Sequence, residues 1–144
     1  MIQLIPGLQS TASALNAERI RMEVVSQNIA NANTTRGIDG KPFQRRQVVF
    51  ETVLSNQQQG DLPGSGVQLL HVARIDKDQR PPRLIYSPGH PDANPQTGMV
   101  EVPDINIHEE MADMITSSRA FEANLAVAKT SRNLAQQTLS IGKR

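Results

Sequence analysis

Residues that break regular backbone crowd into the middle of this chain and leave its two ends almost clear. Eight of the nine prolines fall between Pro42 and Pro103, and seven of the nine glycines between Gly37 and Gly98. Proline removes an amide donor and crowds the preceding helical turn, while glycine loosens the backbone. The distribution predicts a helix at each end and strands and turns between them, with divisions at 1–34, 35–105 and 106–144.

Both ends carry a seven-residue rhythm. In the first, Leu8, Leu15, Met22 and Ile29 recur at that interval, and Leu4, Ala12 and Val25 fill intermediate positions. This spacing makes a narrow apolar stripe on a helix from about Pro6 to Asn31. At the other end Ile107, Met114, Phe121, Ala128 and Ala135 form one row, and Met111, Ser118, Leu125, Arg132 and Leu139 a second. Two such rows predict a coiled-coil-like seam, and Asn106 followed by Glu109 predicts a capping box at its start. Glu109, Glu110 and Asp113 near one end, with Lys143 and Arg144 at the other, suit the helix dipole. Arg132 is the exception on the seam, because a dry interior would require a partner for it. The predicted fold class is mainly α, with long terminal helices in an antiparallel coiled-coil-like pair around a small β-rich module.

Strands are predicted around Val48 to Leu54, Val67 to Ile75, Arg83 to Tyr86 and Met99 to Val102. A polar loop from Ser55 to Gly66 and a Pro/Gly-rich passage from Ser87 to Gly98 separate them. The middle offers few large apolar residues. The helix stripes are therefore expected to pack against other chains, in a bundle or a tube.

Composition narrows the functional classes. Aromatic residues make up 3% of the 144, with no tryptophan, which argues against a deep small-molecule pocket. A net charge of +1 gives no basic footprint for nucleic acid, and the absence of cysteine removes disulfides, thiolate metal sites and cysteine nucleophiles. The longest apolar run, Leu125 to Ala128, cannot cross a membrane, and the first residues lack the features of a cleaved signal peptide. His71, His90 and His108 lie in three separate segments, and no hydrolase or phosphate-loop motif occurs. His90 near Asp92 reads as a turn contact rather than a general-base pair. Asp76 and Asp78 lack the glycine and glutamate of a calcium loop. Arg45-Arg46, with Lys41 nearby, reads as a solvated strand face or a salt-bridged subunit contact rather than an anion site. Asn33-Thr34-Thr35 matches a glycosylation sequon that helix-end chemistry explains. The expectation is no catalytic residue, no cofactor and no metal.

The run Ser26-Gln27-Asn28-Ile29-Ala30-Asn31-Ala32-Asn33-Thr34 resembles the N-terminal signature of the rod and hook axial proteins of the bacterial flagellum. The likeness continues through Gly40 to Phe50, Tyr86 to Asn94, Gly98 to Val100, Pro103 to Asn106, Glu110-Met111, and Ser118 to Asn124. Chain length and the middle passage place it nearest the short proximal-rod members. Met99 and Phe121 stand where the family commonly has tyrosine, and Asp104 where it has asparagine. The resemblance implies a structural subunit of a helical tube, periplasmic and exported without signal cleavage. Its implied partners are copies of itself and other rod proteins, with the export apparatus and MS-ring junction nearby. Subunit packing is expected to fall on Leu8, Leu15, Met22, Val25 and Ile29, and on Met111, Met114, Phe121, Leu125 and Leu139. Asn28, Asn31 and Asn33 are expected to shape the exit from the first helix, with Ile29, Ala30 and Thr34 completing the motif. Another short rod subunit is the near alternative, and a cytoplasmic helical adaptor the distant one.

Overall fold

A computed structural model describes residues 4–55 and 67–142. Helix α1 spans Leu4–Ala30 and helix α2 spans Ile107–Ile141. Between them lie strands β1 (Arg46–Ser55), β2 (Val67–Lys77), β3 (Arg83–Tyr86) and β4 (Met99–Val102). The predicted polar loop, apart from Ser55, lies outside the described residues, as do Lys143 and Arg144.

The helices run antiparallel, since the C-terminal part of α1 meets the first turns of α2 through Asn28 to Glu110 and Arg21 to Asp113. The α2 seam follows alternating steps of four and three through Glu110, Met114, Ser117, Phe121, Asn124, Ala128, Ser131 and Ala135, all buried or half-buried. One predicted row is therefore in place from Met114 to Ala135. The other sits one residue away, on Glu110, Ser117, Asn124 and Ser131. Ser117, Asn124 and Ser131 face the partner helix with Met114 and Phe121, and the bulky Met111 and Leu125 turn out of the pair. Arg132, on the displaced row, is exposed and has no buried charge to satisfy.

The opposite side of α1 is covered as well. β1 and β2 pair antiparallel from Arg46 opposite Lys77 to Ser55 opposite Val67, with a bulge beside Val49 and Phe50. This hairpin lies on α1, and the Leu70 amide donates to Ser13 Oγ at 3.2 Å. Ala17, Val24 and Val25 are buried as a result, and Leu8, Leu15, Met22 and Ile29 are half-buried. The middle module thus covers α1 more fully than expected, since Val48, Phe50, Leu70 and Val72 of the hairpin are half-buried.

The second ribbon pairs Arg83 with Val102 and Tyr86 with Met99. Its inward Val100 is buried together with Pro103 and Ile105 just before α2. Asn106 caps that helix, accepting from the His108 amide at 3.1 Å, while its own amide donates to Glu109 at 3.0 Å. The pairing is a variant of the predicted box, with the glutamate bonded to the cap side chain rather than to the cap backbone.

The passage from Ser87 to Gly98 closes on itself. Ser87 N donates to Gly98 O at 2.9 Å, and Gly98 adopts φ +67° beneath the Tyr86 ring. A Cβ there would stand 2.8 Å from Tyr86 Cε2. Gly98→Ala is expected to destabilise the protein by about 1–2 kcal/mol, because an L-residue resists this conformation and the ring must also shift. Urea unfolding of the purified chain measures it, and an unchanged midpoint would count against the argument.

Candidate functional site

Four segments converge where α1 ends, β1 begins, β2 ends and α2 begins. Asn28, 1% exposed, is the centre. Its Nδ2 donates to Glu110 Oε2 and to the Arg46 carbonyl, both at 2.9 Å, and its Oδ1 accepts from the Arg46 amide at 2.9 Å. Glu110 is equally buried, and its other oxygen accepts from Arg45 Nε at 2.6 Å. Every polar atom of the Asn28 amide and both Glu110 oxygens are therefore engaged, as burial demands.

From Arg45 the charges run outward. Arg45 lies 3.9 Å from Asp78, Arg80 bonds Asp78 at 2.7 Å and Asp104 at 3.3 Å, and Arg83 stands 3.5 Å from Asp104. The Arg80 hydrogen bonds hold the Asp78 carboxyl below the usual carboxylate range. This ladder accounts for Asp78 and for Arg45, whose ion pairs are both within the chain. Asp76 pairs with Arg74 at 2.7 Å. Arg46 lies over the Phe43 ring, 5.6 Å from its centre, and reaches Gln27 at 3.2 Å.

The sequence motif divides between two tasks. Asn31 shapes the helix exit as expected: its Nδ2 donates to the Gln27 carbonyl at 2.8 Å and its Oδ1 accepts from Thr34 Oγ1 at 3.3 Å. Asn28 does something else, bolting α1 to β1 and α2. Ile29 is half-buried, Ala30 and Asn33 are exposed, and Ala32 is buried. Thr35 Oγ1 and Arg36 both donate to Asp92, at 2.8 and 3.4 Å. His90 Nδ1 accepts from the Asp92 amide at 3.1 Å, the local turn contact expected of it. In the sequence Glu110 stands out as a charge suited to the helix start and, with Met111, as part of the family resemblance, neither of which places it inside the helix pair. Placing it inside the pair requires the phase of the seam, which hydropathy does not supply.

The second feature is apolar and outward. Met111, Ile115, Leu125 and Leu139 are 51%, 54%, 53% and 71% exposed along one flank of α2. Val127, Leu134 and Ile141 recur at seven-residue steps on the other flank and are also exposed. Met114 and Phe121 are half-buried against α1. Of the ten expected packing residues, those on α1 are largely covered within the chain, and Met111, Leu125 and Leu139 are open. Among the described residues there is no cluster of metal-ligating side chains and no helix long and apolar enough to cross a membrane.

Comparison with known proteins gives a consistent result. Residues 8–36 match a family model described as flagella basal body rod protein, and residues 96–141 one described as flagellar basal body rod FlgEFG protein C-terminal. The flagellar basal-body rod protein FlgC of Borreliella burgdorferi is 38% identical, covering 96% of this chain and 97% of its own length. FlgC of Bacillus subtilis is 36% identical over 95% and 97%, and that of Salmonella typhimurium 35% identical over 91% and 92%.

Proposed function

The chain belongs to the FlgC family of flagellar basal-body rod proteins and is a structural subunit of the proximal rod; from that premise we propose that α2 carries the principal contacts with neighbouring subunits. The supporting observation is the open row Met111, Ile115, Leu125 and Leu139. Four large apolar side chains open to solvent on one flank of a 35-residue helix, though spaced by Ser118, Glu122 and Arg132, call for cover by another chain. In this reading the helices of 1–34 and 106–144 form the tube wall, and the module of 35–105 lies outside it. Leu8, Leu15, Met22, Val25, Ile29, Met114 and Phe121 hold the two helices and the hairpin together, so that Met111, Leu125 and Leu139 are presented to neighbours.

The subunit acts mechanically, passing torque along the rod and leaving the export path open at its axis. It catalyses nothing and takes no cofactor. Its neighbours are copies of itself and other rod proteins, with the export apparatus and MS-ring junction close by. It stands in the periplasm, having been exported without cleavage of a signal. Location separates this reading from a cytoplasmic helical adaptor. The native sequence has no cysteine, so Gln79→Cys, at an exposed position, provides one thiol. A membrane-impermeant maleimide should label basal-body-associated protein once the outer membrane alone is opened. Labelling that requires rupture of the inner membrane would refute periplasmic placement.

A further inference from the structure

We propose that Glu110 is a positioning residue: its hydrogen-bonded contact with Asn28 and Arg45 fixes the axial register of α2 on α1. The inference goes beyond the assembly reading by naming what sets the height of the outward row relative to the middle module.

The seam itself discriminates register poorly. Ser117, Asn124 and Ser131 follow one another at seven-residue steps, as do Ala128 and Ala135, and Met114 and Phe121 are both elongated apolar side chains. A shift of seven residues, about 10 Å along a helix, would place similar groups opposite α1. Arg21 to Asp113 is half-exposed at 3.4 Å, and pairs of that kind contribute little. Glu110 differs in kind. Any shift would leave its carboxylate and the Asn28 amide buried without each other, and a buried polar pair is the best-attested device for enforcing one helix register. Asn28 is itself held on both sides by the Arg46 backbone, so the contact also ties α2 to the first residue of β1.

The competing anchor is apolar: Val100, Pro103 and Ile105 are buried immediately before α2. Two paired substitutions separate the possibilities. Arg45→Leu with Glu110→Leu removes both charges together, leaves Asn28 bonded to Arg46, and leaves Asp78 bonded to Arg80. Arg45→Gln with Glu110→Gln keeps a neutral hydrogen-bonding geometry: the amide introduced at position 110 accepts from Asn28 and donates to the amide introduced at position 45.

Spin labels at Glu23→Cys on α1 and Gln137→Cys on α2, both exposed positions, report axial distance by pulsed electron resonance in the full-length chain. The parent and the glutamine pair should each give one narrow distance. The leucine pair, which leaves one buried Asn28 N–H without its acceptor, should stay folded with a modestly lowered thermal midpoint and show a broadened or split distribution, with a component displaced by about one heptad, roughly 10 Å. Asn28→Ser, too short to reach Glu110, should broaden it also and serves if the leucine pair does not fold. A single narrow distance in the leucine pair and in Asn28→Ser would assign register to the apolar anchor instead. A broad distribution in the glutamine pair would overturn the hydrogen-bonding account. Since the measurement is made on the unassembled chain, its failure leaves the rod-contact reading untouched.

Discussion

Leu125→Asp should leave the isolated subunit folded and abolish rod assembly and swimming. Leu125 is 53% exposed in the single chain, so a carboxylate there keeps its water and disturbs little before assembly. Covered by a neighbouring helix, the same carboxylate would be desolvated without a partner, at a penalty of several kcal/mol. The penalty recurs at every copy. Circular dichroism of the purified variant should match the parent, while motility in soft agar and basal-body yield should fall to background. Normal swimming would show that this flank of α2 faces solvent in the rod. Loss of helicity in the monomer would place Leu125 in the chain's own core.

Glu110→Ala should have the largest effect on the subunit itself, about 3–5 kcal/mol of stability. The change strips Arg45, 17% exposed, of its 2.6 Å partner and leaves only the 3.9 Å approach to Asp78. It also removes one of the acceptors of the buried Asn28 amide and opens a space between the ends of two helices. Thermal or urea unfolding measures the loss. A shift of under about 1 kcal/mol would mean that water enters the joint and replaces the carboxylate.

Much of the fold is legible in the sequence because it follows from periodicity and from breakers. The two helices and all four strands stand where the seven-residue steps, the alternations and the proline and glycine clusters predict them. The phase of the α2 seam is a different matter. Hydropathy favours Met111, Ser118 and Leu125 over Glu110, Ser117 and Asn124, since it counts transfer from water and takes no account of a partner such as Asn28 waiting for the Glu110 carboxylate. In the structure the seam takes Glu110, Ser117 and Asn124 beside Met114 and Phe121, and Met111 and Leu125 are left outside. Asn28 shows the same limit. Its place near a helix end suggests a capping role, yet its partners come from residues 18 and 82 positions away along the chain. Only the tertiary fold brings them together. The cover of α1 by the hairpin is hidden for a related reason, because only the tertiary fold brings Val48, Phe50, Leu70 and Val72 into half-buried positions.

The charge ladder that leads away from Glu110 has a mechanical meaning for a part that is twisted in use. At its inner end the link between α2, α1 and β1 is buried and fully bonded, so displacing it forfeits interactions that no alternative partner restores. Toward the surface, Arg80 is shared by Asp78 and Asp104, and Asp104 by Arg80 and Arg83. The contacts of Arg80 and Arg83 with Asp104 are open enough to exchange partners at little cost, whereas Asp78 is largely covered. In the proposed arrangement, with the helices in the rod wall and the module outside it, resistance to shear is expected to be greatest at the Glu110 joint and least where Arg80 and Arg83 share Asp104. A subunit graded in this way yields at its periphery under load before its central joint slips.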